Sequence, residues 1–195
     1  MMPARKPTMT YAEYFAFEDK SVERHEFLNG EVFAMSGGTI EHARLIATTT
    51  HVLMGALQSR PCSVYSAELR IRIRPTGLTT YPDVSVVCGK AEIDSEDPHA
   101  IVNPTLVVDV LSDSTEAYDR GEKAGHYRHL PSLREYVLVS QHGPRIEVYR
   151  KNEAGRWELY EYESGGRVEL ASVGCTLAVD EVYRDPLAAG SDVVL

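Results

Sequence analysis

Apolar and polar positions along this 195-residue chain follow two different periods, and the changes of period mark the elements. Two stretches are almost continuously apolar. One runs through Val84, Val86 and Val87 after Pro82-Asp83, and the other through Leu106, Val107, Val108, Val110 and Leu111 after Pro104. β-Branched runs bounded by turn residues predict buried strands. Residues 135–140 and 145–150 predict two more, joined through His142-Gly143-Pro144, and residues 156–163 and 167–170 predict a hairpin around Gly165-Gly166. Residues 62–74 alternate strictly. Ser66, Glu68, Arg70, Arg72 and Arg74 point one way and Ala67, Leu69, Ile71 and Ile73 the other, as in a half-exposed strand. The turn Pro75-Thr76-Gly77 then pairs this strand antiparallel with the one that begins at Asp83.

Helical spacing appears in three places. Residues 10–19 form a short helix with Thr10 as N-cap, Glu13 at the capping-box position, and Tyr14 and Phe17 pointing inward. Residues 40–58 place Ile46, Thr49 or Thr50, Leu53 and Leu57 on one face, with Leu45 and Ala56 beside it. A third helix runs from a cap at Ser114 or Thr115 to about residue 130, with Glu116 in its first turn. Asn29-Gly30, between two short apolar runs, predicts a tight hairpin. Residues 90–99 are acidic and read as a surface loop, and the last residues, from about 186, as a frayed end. The order is helix, hairpin, helix, three strands, helix, then several strands. That is an α+β or α/β chain built on a mixed sheet, with a length that suits one domain, residues 1–195.

Composition narrows the classes. No apolar stretch approaches the roughly 20 residues that span a bilayer, and residues 1–10 lack the apolar core of a secretory signal, so the expected location is the cytoplasm, with no membrane partner. Cys62, Cys88 and Cys175 are too far apart for a zinc site, and their odd number speaks against a disulfide framework; buried thiols are expected. A net charge of −9 argues against a protein that coats nucleic acid with a broad basic face. It does not exclude a nuclease, because an acidic pocket that binds divalent cations needs carboxylates.

Candidate chemistry sits in the two apolar strands. Asp83 opens the first and Asp109 interrupts the second. A carboxylate in such a run is costly without a hydrogen-bonding partner, a counter-charge or a metal. From spacing alone a metal-dependent phosphodiesterase centre and a pair of capping or salt-bridged aspartates are equally supported.

Tyr81-Pro82-Asp83 followed by Val107-Val108-Asp109-Val110-Leu111-Ser112 resembles the PD-(D/E)XK nuclease superfamily. More closely, the chain resembles its Uma-two group, assigned as bacterial restriction-type endonucleases and long catalogued only as a domain of unknown function. Residues 30–38 ahead of a histidine-bearing helix, residues 114–123 and residues 131–136 are also like that group, and the likeness spans about residues 10–185. The resemblance implies an α+β, restriction-endonuclease-like mixed β-sheet flanked by helices, and metal-dependent hydrolysis of phosphodiester bonds in DNA by a homodimer. It implies that Asp83 and Asp109 bind Mg²⁺ (or Mn²⁺), with Glu68 as a further metal or outer ligand, Glu26 as the early acid (Glu31 being the weaker choice) and His42 near the metal-bound water or a phosphate. The superfamily's lysine sits two residues after the second acid, where this chain has Leu111. Lys123 is the migrated substitute the resemblance points to, and Gln141 a weaker one. The competing readings are plain ones. Lys123 pairs with Asp119 on a solvated helix, His126 and His129 share no third ligand, and the chain is a catalytically degenerate nuclease-fold protein acting as a nucleic-acid-binding or protein-interaction module.

Overall fold

The computed structural model describes residues 8–35 and 37–186; the sequence readings on residues 1–7 and beyond 186 lie outside them. Helix α1 (Tyr11–Glu18) starts at a complete capping box, in which the Thr10 N–H donates to Glu13 Oε2 at 2.7 Å and the Glu13 N–H to Thr10 Oγ1 at 3.3 Å. Tyr14 is fully buried and stacks on Phe27 with centroids 4.9 Å apart. Phe17, expected inside, is 39% exposed and leans on His25 instead. Strands β1 (His25–Leu28) and β2 (Glu31–Ala34) flank Asn29 (φ 49°) and Gly30 (φ 99°), the two positive-φ positions a type I′ turn requires. Helix α2 (Ile40–Ala56) begins at Thr39, whose hydroxyl accepts the His42 N–H at 3.1 Å. Its inward stripe is Leu45, Thr49 and Leu53, continued by Leu57. Thr49, Leu53 and Leu57 fall where expected, whereas Leu45 takes the buried place at the start of the stripe and Ile46 is only partly buried.

The expected strand over 62–74 is two strands in different sheets. These are β3 (Cys62–Ser66) and β4 (Arg70–Ile73), separated by a turn in which the Leu69 N–H donates to Ser66 O at 3.2 Å. Period-two alternation continues through a turn of this kind, so the pattern does not reveal the break. Strand β3 does pair antiparallel with β6 (Val84–Cys88), the strand that follows Asp83. The turn at 75–77 joins β4 instead to β5 (Leu78–Thr80), which is too short to show a period. The acidic loop that follows is anchored. Buried Asp94 pairs with Arg72 and Arg74, and buried Asp97 with Arg70. It ends in β7 (Ala100–Ile101) and then β8 (Leu106–Val110).

The predicted third helix is a composite: α3 (Glu116–Tyr118), a π-helical turn Asp119–Lys123, and α4 (Ala124–Tyr127). Thr115 holds its N-cap position without a side-chain cap bond. Strands β9 (Glu135–Val139), β10 (Arg145–Lys151) and β11 (Trp157–Glu163) follow as a meander. The expected hairpin around Gly165-Gly166 does not form. Strand β12 (Arg167–Leu170) pairs with β13 (Cys175–Ala178), ahead of the short helix α5 (Val179–Val182).

The central sheet runs β11-β10-β9-β8-β6-β3 and is mixed, β8 and β9 being parallel and the other pairs antiparallel. A second sheet runs β2-β1-β5-β4-β7. One face of the central sheet, with Val84, Val86, Val108 and Val110, packs on Leu45 and Leu53 of α2 and on the β12–α5 segment. The other face, with Val87, Val107 and Leu138, packs on Tyr127 of α4 and on the second sheet through Ile71, Ile73 and Leu78. The mixed sheet flanked by helices is therefore as expected. The buried thiols are not. Cys62 and Cys88 lie opposite each other across β3 and β6 and form a disulfide, leaving Cys175 as the free cysteine among the described residues. Among those residues no helix is long and apolar enough to cross a membrane.

Candidate active site

Antiparallel pairing of β6 and β8 sets Val84 opposite Val108, which brings Asp83 beside Asp109 at the strand ends. Each carboxylate is held by the other strand's backbone. The Val110 N–H donates to Asp83 Oδ2 at 2.7 Å, and the Asp83 N–H to Asp109 Oδ1 at 3.3 Å. Two carboxylates side by side with little water resist ionising together. Burial, then the charge of Asp109, pushes the Asp83 carboxyl up to about 7.

Lys123 meets them from the far side of the chain. Its ammonium stands 3.4 Å from Asp109 Oδ2, 3.5 Å from Asp119 Oδ1 and 3.6 Å from Glu26 Oε1, with the residue only 6% exposed. Burial alone would favour the neutral amine. Asp109, with Glu26 and Asp119, outweighs it and holds the ammonium well above the ordinary lysine range. Asp119 and Lys123, four residues apart across the π-helical turn, lie on one face and are both buried. Leu111, in the place of the superfamily lysine, is buried in the core with Ala124 and Tyr127. The cation therefore comes from the helix that covers that core.

The supports were less legible than the acids. Buried Tyr136, on β9, donates to Asp109 Oδ2 at 2.8 Å and lies 3.3 Å from Asp119 O. Thr80 donates to the Glu26 carboxylate. Asp119 stood in the sequence only as a helical neighbour of Lys123. Burial, then the charge of Asp109, pushes its carboxyl up to about 6. The i, i+4 spacing was the one signal for it, and nothing in the sequence announced that this face is buried.

His42 Nε2 lies 3.0 Å from Val110 O and 3.6 Å from Asp83 Oδ2. A carbonyl only accepts, so Nε2 carries the proton in that bond. Burial lowers the imidazole's pKa, in keeping with the neutral form. Glu26, His42, Asp83, Asp109, Asp119 and Lys123 line one cavity of about 170 Å³. Three expected residues stay outside it. Glu68 sits in the turn between β3 and β4, its side chain 73% exposed and paired with Arg24, so the expected metal ligand is absent from the site. Gln141 bonds Thr39 and Asp113 near the surface. Glu31 points outward from β2. The cavity thus holds four carboxylates against one ammonium, an excess that suits a hard divalent cation. Among the described residues no three His, Cys, Asp or Glu side chains converge as a complete ligand set. Asp83 and Asp109 as the two protein ligands fit Mg²⁺, which keeps several waters and commonly takes one or two carboxylates plus substrate phosphate.

The model of a family described as "Putative restriction endonuclease", Uma2, matches residues 11–180. This chain belongs to the Uma2 family. Among its relatives, the protein slr1290 of Synechocystis sp., uncharacterised, is 39% identical over 178 residues, covering 91% of this chain and 93% of its own. A second from the same organism, sll1609, also uncharacterised, is 32% identical over 161 residues, covering 83% and 91%. A crystal structure from Anabaena variabilis, titled as a "putative nuclease belonging to DUF820", superposes with a TM-score of 0.73 at 15% identity over 90% of this chain and 97% of that one. At that identity the likeness shows the fold, and the restriction-endonuclease-like architecture read from the Uma2 motifs is the one the two chains share.

Proposed function

We propose that this Uma2 member is a Mg²⁺- or Mn²⁺-dependent endonuclease that hydrolyses phosphodiester bonds in DNA. The observation that carries the reading is the arrival of the Lys123 ammonium 3.4 Å from Asp109, on a carboxylate pair set by the β6–β8 register. Asp83 and Asp109 would hold the cation, which when bound supplies a Lewis acid and lowers the pKa of its water. Lys123, whose ammonium form the surrounding carboxylates favour, would face the phosphate oxygens on which negative charge accumulates as water attacks. Glu26, Asp119 and Tyr136 keep the ammonium and Asp109 in register. His42, through its Nε2–H bond to Val110 O, fixes the start of α2 against the strand that carries Asp109. A homodimer would present two such cavities.

The test is incubation of the purified protein with supercoiled plasmid, single-stranded DNA and RNA, with Mg²⁺, with Mn²⁺ and with EDTA, beside Asp83→Ala. Cation-dependent DNA cleavage that Asp83→Ala lacks is the expected result. No cleavage of any substrate, with cation binding retained, would favour the degenerate reading, for which the pairing of Lys123 with three of the protein's own carboxylates is the supporting observation.

A further inference from the structure

The wall of this cavity is polar on the inside and apolar at its lip. Glu26 and Phe33 are cross-strand partners on β1 and β2, so their Cβ atoms lie about 5 Å apart on one face. Glu26 reaches Lys123 from there. Phe33 does not turn into the core. It is 47% exposed, lines the same cavity, and has Met35, 36% exposed, beside it in the lining. Among the described residues its ring pairs with no other aromatic ring and no cation, whereas Tyr11, Tyr14 and Phe27 pair with one another. Strand β2 is the edge of its sheet, so nothing in that sheet packs beyond it. A single exposed aromatic is ordinary on a protein surface. One set directly across from an acid of the candidate centre is placed for a ligand.

The chemistry of the surroundings selects that ligand. The chain carries a net charge of −9, and the cavity holds one ammonium among four carboxylates. A polyanion bound here gains little from its remaining phosphates, so uncharged contacts must supply much of the affinity. Stacking of a base on an aromatic ring is the sequence-tolerant contact of that kind. A base inside a duplex already stacks on both neighbours and offers no free face. We propose that Phe33, flanked by Met35, is a stacking platform for an unpaired base next to the reacting phosphate, so that the preferred substrate is single-stranded or locally unpaired DNA. This rests on the nuclease reading above and names its substrate class.

The experiment compares wild type, Phe33→Ala and Phe33→Trp for binding to a short single strand carrying one 2-aminopurine and to its perfect duplex, with Ca²⁺ in place of Mg²⁺. Fluorescence anisotropy gives affinity, 2-aminopurine emission reports stacking, and gel filtration gives the oligomeric state. Wild type should bind the single strand more tightly and quench the emission. Phe33→Ala should weaken that binding about 5- to 150-fold, with duplex binding unchanged, and Phe33→Trp should restore both affinity and quenching. Undiminished single-strand binding by Phe33→Ala would overturn the proposal and leave the nuclease reading standing. So would a Phe33→Ala variant that loses only a subunit contact, which would make the lip an interface between copies. A wild type that binds no nucleic acid would overturn both.

Discussion

Asp83 and Asp109 are tied by reciprocal bonds across two strands: Asp83 accepts the N–H of Val110 at 2.7 Å, and Asp109 accepts the N–H of Asp83 at 3.3 Å. Neither carboxylate can swing away without giving up a backbone bond in a site with little water. Their repulsion is therefore built into the strand register, and proton uptake, or a cation held as proposed, would relieve it.

Proton uptake gives a pH signature. In the folded protein Asp83 titrates at about 7, against an ordinary value of 3.8. Between those values the folded state holds more protons than the unfolded chain, so this group's contribution is fully present below about pH 4 and is lost as pH rises through 7. Asp83→Asn removes that loss. In metal-free urea titrations it should match wild type near pH 4 and become the more stable protein by pH 8. The gap should be on the order of a few kcal/mol, each tenfold change in proton affinity being about 1.4 kcal/mol. A gap that stays constant with pH would show that Asp83 is not buried against Asp109.

Cation binding draws on the same pair. Calorimetry should show one Mg²⁺ or Mn²⁺ taken up by wild type and by Glu68→Ala, whose side chain lies outside the cavity, and none by Asp109→Ala. Ligand carboxylates must be ionised, so the rise in melting temperature on adding Mg²⁺ should be larger at pH 8 than at pH 5. Equal uptake by Asp109→Ala would remove the metal from this site.

Much of this was legible because it is local. The Thr10 and Glu13 capping box, the Asn29-Gly30 turn and the paired Val-rich strands each carry a short-range signal, and the two acids stood out as charges inside apolar runs. What was missed depends on partners distant in sequence. The Arg70, Arg72 and Arg74 alternation reads as a solvated strand face until Asp94 and Asp97 fold back onto it. Cys62 and Cys88 look like isolated thiols until β3 and β6 pair in register. Strand β5 is three residues long, too short for any period to show. Asp119 lies in a π turn, a departure from the helical period that a 3.6-residue pattern cannot encode.

Asp119 should act through Lys123. Its carboxylate lies 3.5 Å from the ammonium, and its own backbone oxygen lies 3.3 Å from the Tyr136 hydroxyl that binds Asp109. Asp119→Asn should lower turnover about 10- to 100-fold, a cost typical of outer partners in metal sites, and leave Mg²⁺ affinity close to wild type. A parallel loss of Mg²⁺ affinity would instead make Asp119 a ligand.

The disulfide makes a separate claim on stability. Cys62 and Cys88 are 26 residues apart, and the loop they close contains β4, β5 and Asp83. The chain-entropy model values such a closure at about 3.5 kcal/mol. The Cys62→Ser, Cys88→Ser double variant should lose roughly that much in denaturant unfolding, and reductant should bring wild type to the same midpoint. If reductant leaves the midpoint of wild type unchanged, the two thiols are not joined in solution.

Lys123→Ala tests the centre most severely, because the lysine has two duties that pull its outcomes apart. As the cation facing the phosphate, its loss should cut cleavage at least about 100-fold, the scale for removing one preorganised donor from developing negative charge. As the counter-charge for Glu26, Asp109 and Asp119, its loss leaves buried carboxylates unpaired, and breaking such a cluster costs about 3–5 kcal/mol. That cost should shrink at pH 5, where Asp119 and Asp83 take up protons. It should also shrink when Mg²⁺ replaces the missing positive charge, so the stabilisation by Mg²⁺ should be larger in Lys123→Ala than in wild type. A variant that is restored in stability by Mg²⁺ but still fails to cleave separates the catalytic duty from the structural one. Full cleavage by that same folded variant would show that Lys123 is only a structural counter-ion.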